Sequence, residues 1–134
     1  METLIESYWP TILTLGALGG LLLLQLLVAD VAGILQRHTP GTQVAADHGN
    51  FLFRAVRAHA NTNESVSIFV LLVAFALFVS GSPAAVNGSA VGYLIGRIGH
   101  MCCYYANVKL LRSVFFAVSL FGLFGLLAAG LRGL

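Results

Sequence analysis

Arg57-Ala58-His59-Ala60-Asn61-Thr62-Asn63-Glu64 runs without a break into residues 65–80, which are almost wholly apolar. A membrane-crossing helix needs about 20 residues to span a hydrocarbon core of about 30 Å. The apolar run at residues 66–79 is short by that measure. It reaches full length only if the helix also takes in the turns that carry Arg57, Asn61 and Glu64. These polar groups then lie in or just below the headgroup region, where they must face protein rather than lipid. Charged groups at such a depth are expensive and mark function.

The rest of the chain fits a membrane setting. Of its 134 residues, 58% are hydrophobic and 9% are charged, and the mean hydropathy is +0.90. A soluble domain carries roughly 25% charged residues, so the reading is an integral membrane protein. The net charge of +2 is small and no run of basic residues forms a patch, which argues against nucleic acid as a partner. Cys102 and Cys103 are adjacent in an apolar run. Neighbouring helix positions point in different directions, so the two read as small buried side chains rather than a bridge. No CxxC or other metal-ligand spacing occurs, so no metal is expected. The N-terminus has Glu2 and Glu6 where a signal peptide has positive charge, and its apolar run is long. It reads as a retained helix.

Four hydrophobic segments give spans at roughly 8–36, 51–80, 88–107 and 112–132. Tyr8 and Trp9 open the first, where interfacial aromatics belong. No linker separates domains and no repeat is evident. The expected fold is all-α, a single four-span membrane bundle over residues 1–134. Link one contains Pro40-Gly41, Asp47 and His48 and reads as a polar, solvated loop. Residues 80–89 are uncharged and turn-rich, with Ser80-Gly81-Ser82-Pro83 and Asn87-Gly88-Ser89. Positive charge gathers at links one and three, near Arg37, Arg54, Lys109 and Arg112. The positive-inside rule places those links in the cytoplasm and both termini outside, with Arg132 a minor vote against. Gly16, Gly19 and Gly20 on the first helix, with Gly122 and Gly125 on the fourth, permit close helix approach within or between chains.

On a helix, Arg57, Asn61 and Glu64 share one face, and Arg54 joins it a turn earlier. Arg97, His100 and Tyr104 share a face of the third helix, and Arg112 and Ser113 open the fourth. The topology sets Arg57 and Asn61 at the depth of Tyr104, and Glu64 nearer Arg97 or His100. The polar faces can meet, and Glu64 with Arg97 is a candidate intramembrane ion pair. Guanidinium groups grip carboxylates through paired hydrogen bonds, and Glu64 can accept from an ammonium group. This inventory suits a small, zwitterionic, polyanionic ligand, with a lipophilic second substrate arriving from the bilayer. Arg54 and Lys109 are expected to snorkel to headgroups. His59 falls one position off the helix-two face. Asp30 is expected to be structural at the boundary.

Arg57-Ala58-His59-x-Asn61-x-x-Glu64 resembles the signature of the MAPEG family, the membrane-associated proteins of eicosanoid and glutathione metabolism. Gly96-Arg97-x-x-His100-x-x-x-Tyr104 resembles that family's second motif and Arg112-Ser113 its third, in the same order and over nearly the whole chain. The resemblance implies a homotrimer with active sites between subunits near the cytoplasmic face. It implies glutathione as co-substrate, held by Arg57, Asn61, Glu64, Arg97, His100 and Tyr104. Arg37, at the end of the first helix, matches a family arginine less closely. Arg112 matches the arginine regarded as activating the glutathione thiol, by stabilising a thiolate whose pKa ordinarily lies near about 8.5. Ser113 can instead or additionally donate a hydrogen bond to the sulfur. Alanine at position 60 departs from the arginine of the prostaglandin synthase branch.

The implied activity is a glutathione transferase that conjugates glutathione to lipophilic electrophiles, with reduction of lipid hydroperoxides as a second activity. Its implied partners are membrane lipid, a lipophilic substrate and further copies of itself. The expected location is a bacterial inner membrane. Two other classes compete. A four-helix multidrug transporter needs a carboxylate deep in the first helix, where this chain has only Gln25 and, near the end, Asp30. A non-catalytic scaffold needs the polar cluster but not Arg112.

Overall fold

A computed structural model describes residues 2–134; Met1 lies outside the described residues. The described chain is all-helical: α1 (Glu2–Ser7), α2 (Trp9–Leu35), α3 (Phe51–Phe78), α4 (Pro83–Tyr105) and α5 (Lys109–Leu131). The four long helices pack as an antiparallel bundle. By length and composition α2, α3 and α5 can each cross a membrane. α4 is the more polar helix, because it carries Asn87, Arg97 and His100.

Hydrogen bonds at its two ends fix the register of the bundle. At one end Gln36 donates to the Asn50 side chain at 2.8 Å, and the Arg54 guanidinium donates to the Tyr105 carbonyl at 3.4 Å. Links one and three therefore share this end. At the other end the Tyr8 hydroxyl donates to the Gly81 carbonyl at 2.5 Å, and the Thr11 hydroxyl donates to Asn87 Oδ1 at 2.7 Å. Between them the core is apolar, built on Leu18, Phe69, Val73, Ala76, Val86 and Leu126.

α4 begins at Pro83, inside the stretch whose composition reads as a turn. Asn87-Gly88-Ser89 is helical because Asn87 has tertiary partners. Its oxygen accepts from Thr11, and its amide donates to the Ser7 carbonyl at 2.8 Å. Link two shrinks to residues 79–82. α2, α3 and α4 stop in the same way. Arg37, Ser80 and Asn107 adopt positive φ of 53°, 55° and 58°. The next N–H then reaches back to Gly33, Ala76 or Cys103, closing the last carbonyls of each helix. This turn is usually made by glycine, so Arg37 and Ser80 are held in a conformation that costs a side chain about 1–2 kcal/mol.

The tightest packing is between α4 and α5, and glycine makes it possible. A Cβ on Gly96 would meet the Ser119 backbone nitrogen at 2.5 Å, and one on Gly122 would meet the Tyr93 nitrogen at 2.7 Å. No rotamer change relieves a clash with backbone. We expect Gly96→Ala to destabilise the protein by about 1–3 kcal/mol, seen as a lower thermal unfolding midpoint in detergent. Gly92→Ala, which meets nothing within 4 Å, should leave the midpoint unchanged or slightly raised. Equal midpoints for the two variants would contradict the close α4–α5 contact.

Candidate functional site

Arg97 is 1% exposed, in the middle of an apolar bundle. An isolated guanidinium there would cost several kcal/mol, so its partners decide whether the helices can close. Nη1 donates to Asn61 Oδ1 at 2.8 Å and to the Asn61 carbonyl at 3.3 Å. Nη2 donates to the Ser119 hydroxyl, which passes its own proton to the Phe116 carbonyl at 2.8 Å. The guanidinium carbon lies 5.8 Å from the Tyr93 ring centroid and 5.7 Å from that of Phe116. One side chain thus ties α3, α4 and α5 together with charge-assisted hydrogen bonds. Just beyond it, Tyr93 stacks on Phe69 at 4.5 Å and shares a 2.7 Å hydrogen bond with Ser65.

This register differs by about one turn from the expected depths. Asn61, rather than Glu64, meets Arg97, and Glu64 pairs with Arg57 at 3.8 Å on its own helix. The bundle end shows the same offset, because Arg54 of α3 reaches the carbonyl of Tyr105 on α4.

Toward links one and three the site opens into an aromatic cluster. The Arg112 guanidinium lies over the Tyr104 ring, 4.5 Å from its centroid. His100 meets that ring edge-on at 5.0 Å, and His48 lies near-parallel to it at 6.5 Å. His48 also packs edge-on against Phe53 at 5.1 Å. His100 is buried. Ser113 is exposed and donates to the Lys109 carbonyl at 3.4 Å. It is a hundred degrees round the helix from Arg112.

Arg57 and Glu64 keep 40% and 61% of their side chains exposed, so both can be reached from outside the bundle. Arg57 also forms part of a groove of about 980 Å³ between the end of α2, link one and the start of α3. Asp30 stands on its α2 side, and Gly33, Pro40, Val44, Leu52 and Val56 supply apolar wall. Asp30 is exposed and forms no ion pair among the described residues. Arg37 is exposed at the end of α2 and joins none of these contacts. His59 donates to or accepts from Asn63 at 2.9 Å on the outer side of α3. No three His, Cys, Asp or Glu residues gather into a metal-binding group among the described residues.

Sequence reasoning misses one participant and misreads two. Ser119 is the only polar residue between Ser113 and Arg132, seven positions after Arg112 and so on the same face; that signal was available. His48 was read as solvated, yet its ring packs on Phe53 and Tyr104; nothing local to link one reveals this. Arg54 was expected to snorkel. Instead it donates to the carbonyls of His48 and Gly49 at 2.7 and 3.2 Å and holds link one against the bundle.

The model of the MAPEG family matches residues 11–132, nearly the whole chain. No curated protein matches it.

Removing the Arg54 guanidinium leaves link one without its clamp. Limited proteolysis of Arg54→Ala in detergent should cut within residues 37–49 roughly ten-fold faster than in the wild type, while global unfolding moves little. Equal cutting rates would show that Arg54 does not hold the link.

Proposed function

The chain belongs to the MAPEG family, and on that premise we propose that it is a glutathione-dependent membrane enzyme that conjugates glutathione to lipophilic electrophiles. The family's members include glutathione transferases. The observation that carries the reading is a set of guanidinium groups with a single paired carboxylate. Arg112 rests on the Tyr104 ring that His100 meets edge-on, Arg97 lies beneath and Arg57 at the edge, and among the described residues Arg57–Glu64 is the one ion pair. Such an excess of positive charge in a membrane protein favours an anionic ligand. Glutathione brings two carboxylates, an ammonium group and a thiol that can ionise.

In this reading Arg57, Asn61 and Glu64 face the peptide, and His100 and Tyr104 close the floor. Arg112 stabilises the thiolate. Its place over the Tyr104 ring supports that role better than Ser113, whose hydroxyl is directed to its own helix. Arg97 contributes from beneath, since it is too buried to touch a ligand broadly. Arg37 completes the site from a neighbouring copy. The thiolate attacks the electrophilic carbon of the second substrate, forming a C–S bond; the electrons displaced there are protonated from solvent or leave with the departing group. In reduction of a lipid hydroperoxide the same thiolate would attack the terminal peroxide oxygen, breaking the O–O bond and releasing the lipid alcohol once protonated; a second glutathione would then displace the sulfenic oxygen as water and close the disulfide.

The proposed body crosses the membrane four times, with links one and three cytoplasmic, and assembles as a homotrimer with its sites between subunits. His59, Asn63 and Ser67 form a polar stripe on the outer side of α3, with Asn63 and Ser67 exposed. Lipid is a poor solvent for that stripe, and another copy is a better one. The apolar groove beside Arg57 offers the lipophilic substrate an approach from the bilayer edge. The transporter reading is not favoured, because Asp30 lies exposed near the end of α2 rather than deep within it.

Titration of glutathione into the detergent-purified protein, followed by thiolate absorbance, tests the proposal. The wild type should bind and show thiolate at neutral pH. Arg112→Ala should lose that signal and lower kcat roughly 100-fold, while still binding. No binding and no thiolate in the wild type would overturn the enzyme reading. A signal unchanged in Arg112→Ala would move activation to another group.

A further inference from the structure

Asn61 is half-buried on α3, between Arg57 and Glu64 on the same helical face. Its side-chain amide can be built in two orientations that differ by exchanging oxygen and nitrogen, and its hydrogen-bond partners decide between them. Arg97 Nη1 lies 2.8 Å from Oδ1. A guanidinium is only a donor, so a flipped amide would set donor against donor. Arg97 is itself unable to turn away. Its Nη2 is held by Ser119, and the rings of Tyr93 and Phe116 lie 5.8 and 5.7 Å from its guanidinium carbon. Ser119 has one proton, which goes to the Phe116 carbonyl, leaving only its lone pairs for Arg97. The bonds that link Phe116, Ser119, Arg97 and Asn61 therefore each have a fixed donor and acceptor, although the Arg97 Nε–H has no partner. At the end of the chain Asn61 Nδ2 has no partner among the described residues.

We propose that Ser119 and Arg97 are positioning residues that lock the Asn61 amide so that its N–H₂ group, never its carbonyl, is presented to the ligand. The site then selects a hydrogen-bond acceptor at that point, a carboxylate or a peptide carbonyl, and rejects a donor. This rests on the glutathione reading for the identity of the ligand, but not for the orientation of the amide. Ser119 lies in none of the motifs that mark the site. Its role comes only from the packing of Gly96 against its backbone, which brings its hydroxyl to Arg97.

Two measurements test this. The first is glutathione affinity by calorimetry on the intact protein in detergent. Ser119→Ala should weaken binding roughly ten-fold, the scale of one lost hydrogen bond to a charged group, and Ser119→Thr should restore it. Asn61→Asp keeps the acceptor for Arg97 but removes both donors, and should weaken binding at least as much. The double variant Ser119→Ala/Asn61→Asp should be no weaker than Asn61→Asp alone. The charge that aspartate adds is common to both arms of this cycle and cancels. Wild-type affinity in Ser119→Ala, or penalties that multiply in the double variant, would overturn the proposal.

The second measurement needs no ligand. Side-chain amide NMR of isotope-labelled protein should show the Asn61 N–H₂ protons exchanging with water while the Arg97 guanidinium protons are protected. Ser119→Ala should release that protection. Asn61 protons shielded from water would overturn the orientation. Wild-type protein that binds no glutathione, yet shows the expected exchange pattern, would fail the function proposed above and leave the locked amide standing.

Discussion

A guanidinium at the centre of an apolar bundle must find hydrogen-bond acceptors before the helices can close around it, and Arg97 finds them on two other helices. Asn61 on α3 and Ser119 on α5 supply the oxygens, and Tyr93 and Phe116 supply the aromatic faces. The contact is demanding in both directions. Without Arg97 the bundle would bury an amide oxygen and a hydroxyl without their donor, and without them Arg97 could not stay buried. Such a layer allows little freedom in rotation or register. It requires α5 to approach α4 closely enough for Ser119 to reach, and Gly96 supplies that approach.

Once this layer is set, the rest of the site has a fixed place. Arg57 and Glu64 lie on the α3 face that Asn61 shares. His100 and Tyr104 lie one and two turns further along α4, toward links one and three. Arg112 begins α5 at the same end and rests on Tyr104. Link one closes over this end because Arg54 ties its carbonyls to α3 and α4. The outcome is a graded site, with a buried cation beneath, held through both of its Nη atoms, and half-exposed cations above. The buried layer joins the helices; the open layer leaves Arg57 and Glu64 accessible. One short stretch of sequence thus holds both helix-joining and exposed residues.

Much of this was legible in the residues. Long apolar runs gave the helices, and helical spacing put Arg57, Asn61 and Glu64 on one face and Arg97, His100 and Tyr104 on another. The family match over residues 11–132 agrees with the three motifs in order. What was not legible depended on partners distant in sequence. Asn87-Gly88-Ser89 has the composition of a turn, and becomes helix through bonds to Thr11 and Ser7. The pairing of α3 with α4 was one turn out, because helical spacing fixes faces but not the offset between helices. That offset is set by which side chains find one another, Asn61 with Arg97, and the Arg54 bond to Tyr105 agrees with it. His48 was read as a solvated loop residue, since nothing near it in sequence reveals the Tyr104 ring on which it packs.

The central claim is that Asn61 and Arg97 are bound to one another as the layer that pins α3 to α4. A double-mutant cycle on reversible unfolding in detergent tests it most directly, using Asn61→Leu, Arg97→Met and the pair together. The account predicts a coupling of about 1.5–3 kcal/mol, the scale of a hydrogen bond to a charged group. Penalties that simply add, within about 0.5 kcal/mol, would show that the two side chains do not hold the helices together, and would contradict it.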